Sequence, residues 1–183
     1  LVAIVNELLD LARIEARQGK DFRITEHALG PLIEETVGAL MIHGDPRKVE
    51  VRAEHGDARL MVDHDKTRQA ITNVLSNAYK YSPGGGSIRL HTQLREVDGR
   101  QQVGVSVTDS GIGMTPAQKA RLFERFYRAD PSGNIPGTGL GMCLVEEIME
   151  LQGGQIEVDS EPGIGTRVTL WFPVVAQPAA VPA

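Results

Sequence analysis

Asn73-Val74-Leu75-Ser76-Asn77-Ala78-Tyr79-Lys80-Tyr81-Ser82-Pro83, followed by Gly84-Gly85-Gly86, is the stretch on which the fold of this chain turns. Its apolar residues keep helical spacing. With Ala70 and Ile71, the residues Val74, Leu75 and Ala78 make one stripe, so the pattern predicts a helix from Asp65 to Tyr81 that stops at the Pro/Gly cluster. Asn73 and Asn77 stand one turn apart, which puts both carboxamides on one side of that helix, read as the side opposite the stripe. A carboxamide oxygen is a hard, uncharged ligand suited to Mg²⁺ that keeps several waters and is held mainly by phosphates. Lys80, three residues on, can set an ammonium against a phosphate oxygen. Taken alone, an asparagine pair reads more readily as solvated helix surface than as a metal site.

Towards the C-terminus, the apolar run Val103–Thr108 ends at Asp109 and enters Ser110-Gly111-Ile112-Gly113. A carboxylate there can accept a hydrogen bond from an exocyclic amine such as that of adenine, and the glycines let backbone approach a flat ring. A plain Asp-Gly turn reads the same way. Ser87–Val97 and Gln101–Thr108 form a hairpin across Asp98-Gly99, a strong two-residue turn signal. Pro116 to Pro136, rich in charge, Gly and Pro, reads as a flexible insert. Gly137-Thr138-Gly139-Leu140-Gly141 then opens a helix over Leu140–Leu151, and amides at a helix start attract anions. No Lys-Ser or Lys-Thr pair follows the glycines, so this is not a Walker loop. It also lies outside any βαβ repeat, against a dinucleotide-binding fold. Gln155–Asp159 and Thr166–Phe172 make the final hairpin.

Towards the N-terminus, Leu1, Ile4, Val5, Leu8, Leu11 and Ala12 repeat as in a bundled helix ending near Gly19. The rest of the chain offers this helix little partner surface, so a second helix from elsewhere is its expected cover. Phe22 and Ile24 suggest a short strand, Pro31 to about Met41 a helix, and Lys48–Ala53 and Arg59–Val62 two strands. From Val174 the chain is Ala, Pro and Val without amphipathic period. The expectation is an α+β fold, a two-layer sandwich with a mixed, mostly antiparallel sheet and helices on one face, preceded by one long helix. It divides into a helix (1–19), a globular domain (20–173) and a disordered tail or linker (174–183).

Composition sets bounds on function. The 183 residues are 41% hydrophobic with a formal net charge of −5, which suits a packed core and argues against a broad nucleic-acid surface. Cys143 is the only cysteine and reads as a buried small apolar residue, so no intrachain disulfide forms and a reducing, cytoplasmic compartment is expected. No apolar run is long enough to cross a membrane, so no membrane contact is expected of these residues. The chain opens on Leu1 inside a helical pattern, as expected of a fragment whose sensor or anchor lies upstream.

Read in order, the motifs resemble the catalytic ATP-binding domain of sensor histidine kinases, in the superfamily that also holds type II topoisomerases and mismatch-repair ATPases. Asn73 to Pro83 looks like the asparagine box and Asp109-Ser-Gly111-Ile-Gly113-Met the first glycine box. Leu122-Phe123-Glu-Arg125-Phe126-Tyr127-Arg128 resembles the phenylalanine box, and Gly137-Thr138-Gly139-Leu140-Gly141-Met the second glycine box. Gly163-Ile-Gly165-Thr166 matches the closing hairpin. The resemblance implies that Asn77, with Asn73, ligates Mg²⁺, that Lys80 meets a phosphate, that Tyr81 stacks on the base and that Asp109 binds the adenine amine. Gly137, Gly139 and Gly141 would flank the phosphates, Thr138 and Leu140 lie within the same box, and Arg125 and Arg128 would close from a lid over about Met114–Pro136. ATP and Mg²⁺ are the implied cofactors, a response-regulator receiver domain the partner, and a homodimer the assembly.

The superfamily's hydrolases resemble one another in a Glu one turn before the Mg-ligating Asn; here Asn73 stands in that place, and an amide does not take a proton from water. Transfer rather than hydrolysis is therefore implied. Leu1–Lys20 resembles the second helix of the family's dimerisation hairpin, without the first helix and its phosphoacceptor histidine. His27, His43, His55, His64 and His91 all lie outside an acceptor motif. Two other readings stay open: an anti-sigma-type Ser/Thr kinase of the same superfamily, and a nucleotide-dependent dimer module without catalysis.

Overall fold

The computed structural model describes residues 2–40, 42, 45–130 and 132–176. In chain order the elements are α1 (Val2–Arg17), β1 (Ile24–Ala28), α2 (Leu29–Ala39), β2 (Val49–Arg52), β3 (Arg59–Asp63) and α3 (His64–Lys80). They continue with β4 (Ile88–Val97), β5 (Arg100–Asp109), α4 (Pro116–Ala120), α5 (Gly141–Leu151), β6 (Gln155–Glu161) and β7 (Gly165–Pro173). The main sheet has the order β2-β4-β5-β7-β6, with β2 parallel to β4 and every other pair antiparallel. β1 and β3 pair as a separate antiparallel ribbon.

The period of two along β4, β5 and β7 decides which side the helices cover. Ile88 and Leu90, Val103, Val105 and Val107, and Val168, Leu170 and Phe172 face one way, and α3 and α5 close over them with Ile71, Leu75, Leu144, Val145 and Ile148. The other face is polar. Across it run Arg89, Thr108 and Arg167, then Ser106 and Thr169, whose hydroxyls lie 2.7 Å apart. Trp171 packs against Gly104, where a Cβ would come within 2.8 Å of the ring, and the Arg95 guanidinium stacks over that ring, 3.9 Å from its centre.

Several expectations shift. α1 does have a partner: it packs on α5 and buries Leu11 and Ile14, each 1% exposed, while Ile4, Val5, Leu8 and Leu9 remain open. The insert after Gly113 is less loose than its composition suggests. α4 carries a Thr115/Gln118 capping box, Met114 and Ala129 are buried, and Leu122 and Phe123 pack on the core. α2 starts at Leu29, two residues before Pro31, because the first turn needs no N–H from a proline. β1 starts at Ile24 and leaves Phe22 outside. Val174 and Val175 still donate to the carbonyls of Gln101 (3.0 Å) and Arg59 (2.8 Å); the expected tail beyond Ala176, like Met41 and His43, lies outside the described residues. No described helix is long and apolar enough to cross a membrane.

Candidate functional site

Between α3, the end of β5, the start of α5 and the insert lies a pocket whose wall includes Asn73, Asn77, Lys80, Tyr81, Asp109, Gly113, Gly137, Thr138, Gly139, Gly141 and Thr166. Chain segments far apart in sequence thus meet at one cavity. Val74 and Ala78 line it as well. The asparagines therefore flank the apolar stripe of α3 and do not oppose it, since one residue of helix turns the side chain by only about 100°.

One end of the pocket is tightly built. Asp109, 9% exposed, accepts from the N–H of Gly111 (2.8 Å) and of Thr166 (3.2 Å), both on Oδ1. Oδ2 receives no backbone hydrogen bond among the described residues, and the Ser82 hydroxyl also favours the ionised carboxylate. Burial pushes the Asp109 carboxyl above the usual carboxylate range, and the two backbone donors pull part of the way back. The Gly111–Gly113 turn is keyed to its neighbours by contact. Ile112 N–H donates to Tyr81 O at 2.9 Å, and a Cβ on Gly111 would sit 2.1 Å from the same oxygen. Gly113 has φ +63, and a Cβ there would meet the Glu161 carbonyl at 1.9 Å. Burial likewise raises the Tyr81 phenol, whose ring stands at the wall. Val107, Met114, Met142 and Val168 complete an apolar slot beside the carboxylate.

The other end is looser. The backbone N–H groups of Gly137, Thr138 and Gly139 donate to no acceptor among the described residues, and they stand at the N-terminal end of α5, where the helix dipole favours an anion. Leu140 N–H is taken by Thr138 Oγ1 at 3.2 Å. Gly139 has φ +73, and its carbonyl accepts from Phe126 N–H at 2.9 Å, the one backbone bond tying the turn to the insert among the described residues. Phe126 itself takes φ +63 and is 59% exposed. Asn73 Nδ2 lies 3.4 Å from the Gly141 carbonyl, which sets the α3 amide against the start of α5.

Not every expected residue reaches the pocket. Arg125 pairs with Glu15 of α1, and Arg128 donates to the Ile135 carbonyl within its own loop; neither is at the wall. Leu140 is fully buried behind the wall, and Gly111 supports it from behind. Conversely, Glu7 of α1 lines the cavity and accepts from the Thr138 hydroxyl, and Leu122, Tyr127 and Ala129 of the insert face inward. Glu7 carries no local signal, because its partner lies 131 residues away. The inward-facing Leu122 and Tyr127 were legible only through the resemblance of Leu122–Arg128 to the phenylalanine box.

The sequence profile of histidine kinase-, DNA gyrase B- and HSP90-like ATPases matches residues 62–176. Among curated proteins, drug sensory protein A of Synechocystis sp. is 32% identical over 181 residues, spanning 94% of this chain and 27% of that protein. Sensor-like histidine kinase SenX3 of Mycobacterium tuberculosis is 29% identical over 177 residues, spanning 95% of this chain and 42% of that one. The chain therefore covers less than half the length of these relatives. Among solved structures, full-length ShkA in complex with AMPPNP superposes with a TM-score of 0.80 at 25% identity, over 99% of this chain and 37% of that one. The mycobacterial sensor histidine kinase MprB gives 0.68 at 26% identity, over 82% of this chain and 97% of that one. With the matched profile spanning more than half its length, this chain belongs to the histidine kinase-, DNA gyrase B- and HSP90-like ATPases.

Proposed function

We propose that this chain is the ATP-binding catalytic part of a two-component sensor histidine kinase. The observation that carries the reading is the pairing of two ends in one pocket: a buried carboxylate with one oxygen left unbonded by the backbone at one, backbone amides unpaired among the described residues at a helix start at the other. Asp109 Oδ2 would accept from the adenine amine while the Gly111–Gly113 backbone and Tyr81 hold the ring. The amides of Gly137, Thr138 and Gly139 and the ammonium of Lys80 would receive the phosphates. Asn77 and Asn73, on the wall between the two ends, suit Mg²⁺, which neutralises phosphate charge when bound. Arg125 and Arg128 would have to leave their present partners to join them. Thr166 fixes Asp109 from behind, and Leu140 anchors the second glycine turn in the core.

With Asn73 one turn before Asn77 and no basic carboxylate on α3 facing the cavity, the pocket favours holding ATP over activating water. In the whole protein a histidine nitrogen would attack the γ-phosphorus as its bond to the β,γ-bridging oxygen breaks, leaving ADP. The phosphoryl group then passes to an aspartate of a response-regulator receiver domain. Positioning supplies most of the rate. α1 would belong to a dimerisation hairpin, residues 20–173 to the ATP-binding domain, and the work would be done on the cytoplasmic side. The test is labelling with γ-labelled Mg-ATP. The 183 residues alone should bind nucleotide yet take up no acid-labile, base-stable label, whereas a separate hairpin carrying the acceptor histidine should become labelled on mixing. Self-labelling of the 183 residues would sink the reading.

A further inference from the structure

The connection between α2 and β2 carries a side chain that the motifs of this chain leave out. Arg47 is 19% exposed and is held by Asp45, with Nε 2.9 Å from Oδ1 and Nη2 2.5 Å from Oδ2. Its remaining donors reach the last turn of α3 and the turn that follows it: Nη1 donates to the Ser82 carbonyl at 3.1 Å, and Nη2 lies 3.4 Å from that of Tyr79. The guanidinium stands 5.1 Å from the centre of the Tyr79 ring, and Tyr79 Oη donates back to the Arg47 carbonyl at 3.0 Å. Both carbonyls also accept backbone N–H groups, that of Tyr79 from Ser82 (3.3 Å) and that of Ser82 from Gly85 (3.1 Å), so Arg47 adds a second donor at each, and a cation at a helix end also meets the negative end of the dipole. Between the two carbonyls lies Tyr81, whose oxygen accepts from Ile112 and abuts Gly111. That turn is the one that hydrogen-bonds Asp109.

We infer that Arg47 is a positioning residue for base recognition: by fixing the Tyr79–Ser82 end of α3 it sets where the Asp109–Gly113 turn stands, without touching the nucleotide. It does not line the pocket. Asp45 orients the guanidinium so that its outer edge faces the helix end, a geometry in which a lysine cannot reach two carbonyls and a carboxylate together. The consequence is selective. Looseness at the base end should cost the ligand whose amine Asp109 accepts, and spare one that never makes that bond. The inference rests on the ATP reading above.

The experiment is calorimetric titration of Mg-ATP and Mg-ITP, which carries a carbonyl in place of the adenine amine, into the wild-type chain and its variants. Arg47→Met should weaken ATP about tenfold, the size of one hydrogen bond to a charged group, and change ITP by less than about twofold. Arg47→Lys should move the ATP/ITP ratio the same way by a smaller factor, which keeps the test alive if the Met variant does not fold. In an Asp109→Asn background, Arg47→Met should leave the ratio unchanged, because the route runs through Asp109. Equal losses of ATP and ITP in both Arg47 variants would show a merely structural role and overturn the inference, as would an unchanged ratio. If the wild-type chain bound neither nucleotide, the ATP reading would fall, and this inference with it.

Discussion

The two ends of the pocket are built on different terms. At Asp109 the amides that matter are already paired: Gly111 and Thr166 with the carboxylate, Ile112 with Tyr81, Met114 with Ser160 Oγ at 2.8 Å. At Gly137–Gly139 they are not, and the nearby cations Arg125 and Arg128 are engaged elsewhere. On the proposed reading, base recognition would be part of the folded core, whereas the phosphate grip would be completed only when an anion arrives. Pre-organised contacts cost no ordering on binding; assembled ones do, and can report occupancy in return.

Glycine substitutions separate the ends most strongly. Gly113→Ala places a Cβ on the Glu161 carbonyl at a left-handed φ and should destabilise the fold by about 3 kcal/mol in urea unfolding. Gly137→Ala meets nothing within 4 Å and has no left-handed φ, so it should stay within about 0.5 kcal/mol of wild type. Comparable losses at both would erase the contrast.

Next in size is the carboxylate. Asp109→Asn should weaken Mg-ATP by about tenfold or more while Arg125→Ala stays within about twofold, measured by calorimetry. The same residue sets a pH dependence. Its carboxyl titrates above the ordinary aspartate range because it is buried, and only the ionised form is a full acceptor. Nucleotide affinity should therefore hold above that raised pKa and decline as pH falls through it, with no such decline in Asp109→Asn. Stability of the free protein runs the other way. The folded state binds the proton more tightly than the unfolded one, so acidification through that window stabilises it.

The smallest effect concerns α1. Glu7→Gln weakens the hold on Thr138 and should change ATP affinity by about threefold or less, since it replaces a charged acceptor with a neutral one at a partly exposed site. Its clearer readout is faster amide exchange at Gly137–Gly139. An unchanged exchange rate there would mean that α1 does not restrain the turn.

What was legible beforehand follows from how locally each feature is encoded. The α3 stripe, the Asp98-Gly99 turn, where both residues take positive φ, and the glycine turns are written in spacings of a few residues, so sequence alone located them. The strand register put Asp109 beside Thr166, which the hairpin pattern could anticipate only in outline. The contacts Glu7–Thr138, Glu15–Arg125 and Arg47–Ser82 join distant segments through single polar side chains, and no periodicity marks them. Charge and glycine content made the insert look formless, because Met114, Leu122, Phe123 and Ala129 bury themselves one at a time with no helical period to reveal it.

Amide hydrogen exchange with and without Mg-ATP tests the contrast most directly. In the free protein the amides of Gly111, Ile112 and Thr166 should already exchange slowly and change little on binding, while those of Gly137, Thr138 and Gly139 should exchange fast and become protected. Fast exchange at Gly111, Ile112 and Thr166 before nucleotide is added, with protection arising equally at both ends, would contradict a base site that is formed in advance.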